Sequence, residues 1–487
     1  MSRFSSLLNQ YIEEKGVKLY GLSRLCQIDR TTLYRFTHGR QCPSSSDLVY
    51  RLADALGLMP QQKELLYEAW EITNTGERLW KQRRAVEHFL LNFPKAVPLN
   101  QPPFPKEKLI SEIEELSLFE GRRDFLHFLR SMFIGESSLI HPELMLLLQP
   151  EQGNLSDILP VSLCSNSFKI CHIICLNNHA SSVSQYASPV GHAEKEEETI
   201  RYSSHSVECL EALMPFYISQ PDFHSFYYYD DVAAHFDSVS LMPCMIISSD
   251  LAVTCSADLS FGIVHTNPSI ISMLRGIFRK YKAAAHPMAV RATWGSFLFK
   301  ESLSSFQTRD SVCFSSLPHI FSWLTPDILR KYWRSGVAES EDMFSDCSRC
   351  LSIWKETAEN SEIICYVAKN GLERFMATGC ISCFPEGLLH PLSCQDRRRY
   401  LEYLYQIAKD HPIHLIKGTL EQVPGNFVLY VNAQTLVFVF PENSASMAAL
   451  TIREPGLVHS FSDLFASFGE SAVFSRQETC EYIKKML

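Results

Sequence analysis

Apolar residues recur three and four positions apart through the first ninety residues, which is the spacing of an amphipathic helix. The first such stripe begins at Phe4 and ends at Ile12. Two later stripes predict helices from Gln61 to Ile72 and from Glu77 to Phe93. The front of the chain is therefore predicted to be entirely helical.

The stretch from residue 19 to residue 58 predicts two short helices joined by a tight turn and followed by a third helix. Leu22 and Leu25 share one face of the first helix. Asp29 is a strong N-cap for the second helix, because its carboxylate can accept hydrogen bonds from the free N–H groups of the first turn. Gly39 is expected to end that helix, as glycine often does.

Polar and cationic side chains are left on the outside of the second helix, because Leu33 and Phe36 point inward. Arginine can offer a forked pair of donors to guanine, and threonine can meet a phosphate or a thymine methyl group. An arginine just past the helix end is placed to contact a phosphate. The candidate DNA-binding residues, with the N-cap included, are Asp29, Arg30, Thr31, Tyr34, Arg35 and Arg40.

Charge is distributed unevenly along the chain. Residues 1–58 contain eight Lys or Arg and five Asp or Glu, a net charge of +3. The whole chain carries −9, which leaves −12 for the remainder. This asymmetry favours a nucleic-acid partner for the front of the chain.

The run Ile28–Phe36, followed by Gly39-Arg40, Pro43-Ser44 and Leu52–Leu58, closely resembles the phage-repressor or Cro-like (XRE-type) family of helix-turn-helix transcriptional regulators. The resemblance covers roughly residues 3–72. It implies a five-helix, lambda-repressor-like fold that binds double-stranded operator DNA as a homodimer.

Matched position by position, the base-reading sites of that family fall on Arg30, Thr31 and Arg35, with Tyr34 adjacent. The turn departs from the family, because Gln27 stands where a glycine is usual. Glutamine takes the required backbone geometry only at a cost, so a shifted turn is one alternative. A plain five-helix bundle, or a protein-binding relic of the fold, is the other interpretation. The basic and hydroxylic outward face favours DNA.

A chain of 487 residues is too long for a single core. Five prolines between residues 94 and 105 indicate an extended connector between domains. The predicted fold is an all-α helix-turn-helix domain followed by a large α/β (mixed α+β) C-terminal region. The predicted domains are a DNA-binding domain (1–75), a helix with a proline-rich linker (76–105), a mixed α/β sensor domain (106–340) and an α+β sensor or dimerisation domain (341–487).

Helical and strand-like patterns alternate after the connector. Helices are expected near Leu109–Phe119 and Gly121–Phe133, and strands at, for example, Ile170–Leu176 and Thr435–Phe440. We find no convincing internal repeat in the sequence. The run Tyr227–Asp231 could line a pocket, although aromatic density of this kind more often belongs to a core.

No apolar run approaches the roughly 20 residues that a membrane span needs. The chain begins with an amphipathic helix that carries Glu13 and Glu14, which does not resemble a signal peptide. We therefore expect a cytoplasmic protein without a membrane partner. Its sixteen cysteines are then expected to be reduced thiols.

Two CxxC pairs, Cys347 with Cys350 and Cys380 with Cys383, could hold a zinc ion between four thiolates. The long gap between the pairs and the missing glycine knuckle make free thiols the favoured interpretation, so no metal is predicted. The sequence has no nucleophile elbow, phosphate-cradling glycine loop, HExxH motif or dinucleotide fingerprint. No catalytic residues and no cofactor are predicted.

These observations favour a sequence-specific bacterial-type transcriptional regulator that is not an enzyme. Its C-terminal region is expected to sense a small molecule or a protein partner, to dimerise, or both. An effector or defence enzyme with an autoregulatory helix-turn-helix is one alternative. A pure interaction scaffold is another.

Overall fold

The computed structural model describes residues 2–94, 116–150, 168–177, 204–232, 242–294, 311–334, 341–360, 363–469 and 472–487, with six isolated positions between these ranges. The described residues form two compact units. The first contains residues 2–84 and residue 204, and the second contains residues 85–177 and 205–487 where they are described.

The first unit is helical throughout its described length. Its helices are α1 (Arg3–Glu14), α2 (Leu19–Leu25), α3 (Arg30–Thr37), α4 (Ser46–Ala55), α5 (Pro60–Thr75) and the first half of α6 (Glu77–Leu91). Phe4, Leu22, Leu33, Phe36 and Leu52 are fully buried in one core. The apolar spacing of the sequence therefore predicts the helices and most of the faces that they bury. Leu25, expected on the same face as the buried Leu22, is instead 68% exposed, because α2 turns only one side to the core.

The second unit is built on two mixed sheets. The strands of the first sheet are β1 (Leu116–Glu120), β2 (Glu143–Leu147), β3 (Lys169–Asn177), β4 (Phe223–Asp230), β5 (Cys244–Ile247), β6 (Ala252–Cys255), β7 (Phe261–His265) and β8 (His286–Pro287). Those of the second sheet are β9 (Ala289–Thr293), β10 (Val312–Ser315), β11 (Ile364–Val367), β12 (Ile413–Leu415), β13 (Val428–Val431), β14 (Leu436–Pro441) and β15 (Met447–Ile452).

Helices connect and cover these strands. Around the first sheet lie α7 (Arg122–Ser137), α8 (His205–Ser219) and α9 (Pro268–Ala284). Around the second sheet lie α10 (Ile320–Trp323), α11 (Pro326–Tyr332), α12 (Glu341–Asn360), α13 (Lys369–Thr378), α14 (Cys394–Asp410), α15 (Pro455–Ala466) and α16 (Arg476–Met486). Among the described residues the chain thus has sixteen α-helices and two mixed sheets, a multi-domain arrangement of helices and strands.

Both sheets have the same strand order. When the strands of each sheet are numbered along the chain, the order across both is 1-7-6-5-2-3-4, and the first sheet adds β8 beyond its fourth strand. In each sheet strands 2, 3 and 4 are parallel neighbours, and strand 1 is antiparallel to strand 7. We call residues 116–284 the first repeat and residues 289–466 the second repeat.

The expectation of no internal repeat is therefore wrong at the level of structure. Buried strand positions accept several apolar side chains of similar volume, so one topology can persist after sequence similarity has gone. The boundary expected between residues 340 and 341 also falls inside one sheet. β9 and β10 precede that boundary, and β11 to β15 follow it.

Leu116–Phe119, expected at the end of a helix, form most of β1 instead; residues 109–115 of that helix lie outside the described residues. β1 pairs antiparallel with β7, which is more than 140 residues away in the chain. Pairing with so distant a strand overrides the local helical spacing, because strand preference depends on tertiary context.

The second half of α6 belongs to the core of the second unit. Phe89 packs edge-on against Phe438 and Phe461, with ring centroids 5.5 and 5.7 Å away. Phe93 stacks on Phe427 at 4.1 Å. Of the segment expected to be a helix with a linker (76–105), residues 85–94 therefore belong to the core of the second unit, and the Pro94 carbonyl accepts a hydrogen bond from Asn426.

Candidate nucleic-acid interface

Four residues, 26 to 29, form the turn between α2 and α3, and this turn is not shifted along the sequence from its predicted position. The Ile28 N–H donates to the Ser23 carbonyl over 3.0 Å, and Ile28 packs against the core of the first unit. Gln27 has φ +52°, in the left-handed region that favours glycine. The structure therefore places Gln27 in the unfavourable backbone conformation that was expected at this position.

We expect Gln27→Gly to stabilise the first unit by about 0.5–1 kcal/mol, because glycine adopts this backbone conformation without a Cβ penalty. The Gln27 side chain is exposed, so little packing is lost. The free energy of unfolding in urea measures the effect. Gln27→Ala is the matched control, since it also removes the side chain but keeps Cβ, and a gain of equal size from alanine would contradict this explanation.

Asp29 caps α3. Its carboxylate accepts hydrogen bonds from the N–H groups of Thr31 at 2.8 Å and Thr32 at 3.3 Å. The hydrogen bonds from Thr31 hold the pKa of Asp29 below its ordinary value. The carboxylate is thus committed to the helix terminus, where it fixes the orientation of the first turn of α3.

The outward face of α3 carries the side chains that the sequence singles out. Arg30, Thr31, Tyr34 and Arg35 are all exposed, whereas Leu33 is fully buried on the opposite side. Arg40, after the helix end, is also exposed. Within the part of the chain that the structure describes, the guanidinium groups of these three arginines make no ion pair. Their donors are therefore available to an external partner.

Tyr34 is held in place by His38, which sequence reasoning did not select. The two rings stack with centroids 3.8 Å apart and planes inclined by 25°. His38 Nδ1 lies 2.9 Å from the Tyr34 carbonyl oxygen and 3.1 Å from Thr37 Oγ1. The spacing of four residues between Tyr34 and His38 was the available signal. The stack orders the tyrosine on the exposed face before any ligand arrives.

The C-terminal end of α3 is anchored by Asn9, another residue that the sequence analysis missed. Its side-chain amide donates to the Thr37 carbonyl over 2.7 Å, which ties α1 to α3. Arg51, by contrast, makes a hydrogen bond within the protein: its guanidinium group donates to the Cys26 carbonyl at 3.4 Å. Not every arginine of the first unit is therefore free for a ligand.

The structure does not bring the four cysteines of the CxxC pairs together. Cys347 and Cys350 lie buried on α12, Cys383 is buried, and Cys380 is exposed. Burial raises the pKa of Cys383 to about 12, which disfavours the thiolate that a metal needs. The described residues contain no group of three or more metal-ligating side chains arranged to hold an ion.

A pocket in the second repeat lies beside β10, β11 and β13. Its polar lining residues are Cys313, Ser315, His319, Ser322, Cys365 and Tyr430. Burial and the neighbouring His411 lower the pKa of His319 to about 4, so its imidazole is neutral near pH 7. No carboxylate, ammonium or guanidinium group lines the pocket, and its volume of about 30 Å³ has room for about one water molecule.

The sequence matches no protein-family model and none of the curated proteins compared with it. Three solved structures show distant similarity. TrmBL2, an archaeal chromatin protein with a novel mode of DNA binding, is 11% identical with a TM-score of 0.20, over 58% of this chain and 98% of its own. The phosphatidylserine synthase of Haemophilus influenzae is 12% identical with a TM-score of 0.22, over 83% and 96%.

The polyphosphate kinase of Porphyromonas gingivalis is 8% identical with a TM-score of 0.21, over 87% of this chain and 57% of its own. At TM-scores this low the three similarities carry no argument.

Among the described residues, every helix is too short or too polar to span a bilayer.

Proposed function

We propose that the chain is a sequence-specific DNA-binding transcriptional regulator of the helix-turn-helix type. In this proposal α2, the turn and α3 of the first unit bind double-stranded DNA. The second unit mediates homodimerisation and senses a small molecule or a protein partner. The observation that carries the proposal is the pair of exposed guanidinium groups at Arg30 and Arg35 on a helix whose other face is buried.

The proposed mechanism has two parts. Arg40 and the hydroxyl group of Thr31 contact phosphates and set the register of the protein on the duplex. Arg30 and Arg35 then present forked donors to base edges in the major groove, where guanine offers two acceptors. Each bidentate pair of this kind discriminates against a wrong base by about 1–3 kcal/mol. Tyr34, ordered by its stack on His38, adds an apolar and hydroxyl contact.

We expect Arg35→Ala to weaken binding to the preferred duplex by about 1–3 kcal/mol, while binding to unrelated duplexes is largely retained. The preferred duplex is first selected with purified full-length protein from genomic fragments, and affinities are then measured at a stated salt concentration. Arg35→Lys keeps the charge but loses the fork, so it should lose preference as the alanine variant does.

Arg40→Ala is the matched comparison. Loss of a phosphate contact should weaken binding to all duplexes alike and should reduce the slope of log affinity against log salt by about one. Unchanged sequence preference in Arg35→Ala would remove the base-reading role. Failure of the wild-type protein to bind any duplex at low salt would instead support the interaction scaffold.

The cavity beside β10, β11 and β13 encloses about 30 Å³, room for about one water molecule, so the proposal does not place the sensed molecule there. The proposal assigns the chain no catalytic step. DNA binding by the front of the chain accounts for the net charge of +3 over residues 1–58.

A further inference from the structure

The outward face of α3 continues past the residues that the sequence singles out. His38, the C-cap residue of the helix, follows Thr31 by seven positions, Tyr34 by four and Arg35 by three, so it lies on the same side. Like those three residues it is exposed. It is also the only histidine among residues 1–84. The face that is proposed to meet DNA therefore ends in a side chain of the type that changes charge near neutral pH.

The contacts of His38 Nδ1 determine where the proton of the neutral ring lies. Nδ1 is 2.9 Å from the Tyr34 carbonyl oxygen, which can only accept a hydrogen bond. Thr37 Oγ1, 3.1 Å from Nδ1, donates its own proton to the same carbonyl and is left to accept from the ring. Nδ1 therefore carries the hydrogen, and Nε2 carries the lone pair. Within the part of the chain that the structure describes, Nε2 has no hydrogen-bond partner.

The imidazole ring of His38 is held in one orientation before a ligand binds. The stack on Tyr34, with ring centroids 3.8 Å apart, fixes the plane of the ring. The hydrogen bond from Nδ1 to the Tyr34 carbonyl fixes which edge of the ring faces the helix. A side chain ordered in this way loses less conformational freedom on binding than a free one. Nε2 is thus presented to solvent on the exposed face.

The charged groups nearest to His38 in the sequence are cationic. Arg35 and Arg40 lie within three positions of it, and both are exposed without an ion pair among the described residues. The carboxylate of Asp29 is at the other end of α3, where it accepts from the N–H groups of the first turn. An anion is therefore the ligand that this end of the helix fits.

We propose that protonated His38 binds a phosphate of the duplex by donating its Nε2–H to a phosphate oxygen. The inference rests on the DNA-binding function proposed above and adds a dependence on pH to it. In the neutral ring Nε2 presents a lone pair, which repels a phosphate oxygen. Because a phosphate contact carries no sequence information, protonation strengthens binding to every duplex alike.

The other titratable groups near α3 keep their charge between about pH 6 and 8. Burial raises the pKa of the Cys26 thiol and raises that of Cys42 to about 11, so both thiols stay neutral. Carboxylates, arginines and tyrosines ordinarily change charge below about pH 5 or above about pH 9. On α1 and α2, which pack against α3, the groups of these types are Arg3, Tyr11, Glu13, Glu14, Tyr20 and Arg24. A change in DNA affinity over this range is therefore assigned to His38.

The test is the affinity of purified full-length protein for its preferred duplex and for an unrelated duplex, at about pH 6 and 8 and one salt concentration. The wild-type protein is expected to bind both duplexes about tenfold more tightly at the lower pH. The slope of log affinity against log salt should also be steeper there by about one. His38→Phe keeps a ring that can stack on Tyr34 but has no nitrogen, so its affinity and slope should be equal at both pH values. His390→Phe replaces an exposed histidine of the second unit and should keep the wild-type pH dependence.

His38→Arg supplies a permanent cation at the same position. It is expected to bind at the higher pH as tightly as the wild-type protein binds at the lower pH, and circular dichroism shows whether the variants are folded. Equal wild-type affinity at both pH values, or a pH dependence that persists in His38→Phe, overturns the inference while the DNA-binding function stands. A wild-type protein that binds no duplex at either pH contradicts that function and this inference with it, so the two failures are distinguishable.

Discussion

Phe89→Ala is expected to destabilise the second unit by about 3–5 kcal/mol, as removal of a buried phenylalanine does when neighbours cannot close the cavity. The Phe89 ring is fully buried and contacts Phe93, Phe438 and Phe461 edge-on. Phe93 follows the end of α6, whereas Phe438 lies on β14 and Phe461 on α15, so the cavity would border three separate parts of the chain. Urea unfolding followed by circular dichroism measures the change.

Phe261→Ala is the matched control, because the Phe261 ring is exposed on β7 and its removal should cost less than about 1 kcal/mol.

Two fragments of the chain test the structural role of α6 without a substitution. Residues 85–487, which keep the buried half of α6, should fold cooperatively. Residues 106–487, which begin after the proline-rich segment, should lose most of that stability. Equal urea midpoints for the two fragments would contradict a structural role for α6.

Arg291→Ala should also cost about 3–5 kcal/mol, because it leaves a buried carboxylate without its counter-charge. Arg291 on β9 donates to Glu442 over 2.6 Å, and the two side chains are only 7 and 13% exposed. Ser446 Oγ donates to the second carboxylate oxygen of Glu442 at 3.1 Å. The pair therefore ties the edge strand β9 to the end of β14, and the free energy of unfolding in urea reports its loss.

Two comparisons test the physical reason. Arg349→Ala removes an exposed ion pair with Asp346 and should change stability by less than about 1 kcal/mol. Replacing both partners, as Arg291→Met with Glu442→Leu, should recover much of the loss, because no unpaired charge is then buried. If Arg291→Ala behaves like Arg349→Ala, the buried pair contributes no more than a surface one.

In the first unit, local spacing of apolar residues predicts most of the helices and the exposed face of α3. The apolar side chains three and four positions apart predict where α1 to α6 lie, although α5 extends beyond its predicted bounds to Pro60 and Thr75. Asp29 caps α3 as its residue type predicts. The exposed arginines of α3 follow from the same spacing, because Leu33 and Phe36 fix which face is buried. His38 and Asn9 were missed. Their roles depend on a ring stack and on a hydrogen bond between two helices.

The second unit shows where local patterns fail. Most of its strands lie where β-branched and aromatic residues cluster, but the matching order of the two sheets has no counterpart in the sequence. The ion pair of Arg291 and Glu442 joins residues 151 positions apart. Ile270 and Met273 on α9 are exposed. The corresponding residues of α15, Leu457 and Ser460, are buried, and α8 packs against that helix.

By itself, then, the amino-acid order determines the helical front of this protein, the cap at Asp29 and the cationic face of α3, because each depends on neighbours within one or two helical turns. Only the tertiary structure makes Leu116–Phe119 a strand, buries Phe89 and Phe93 in the core of the second unit, aligns two sheets in one strand order and leaves Ile270 and Met273 of α9 in solvent. Those outcomes come from pairing and packing between distant segments, whose free energy exceeds local preference and leaves little trace in local spacing.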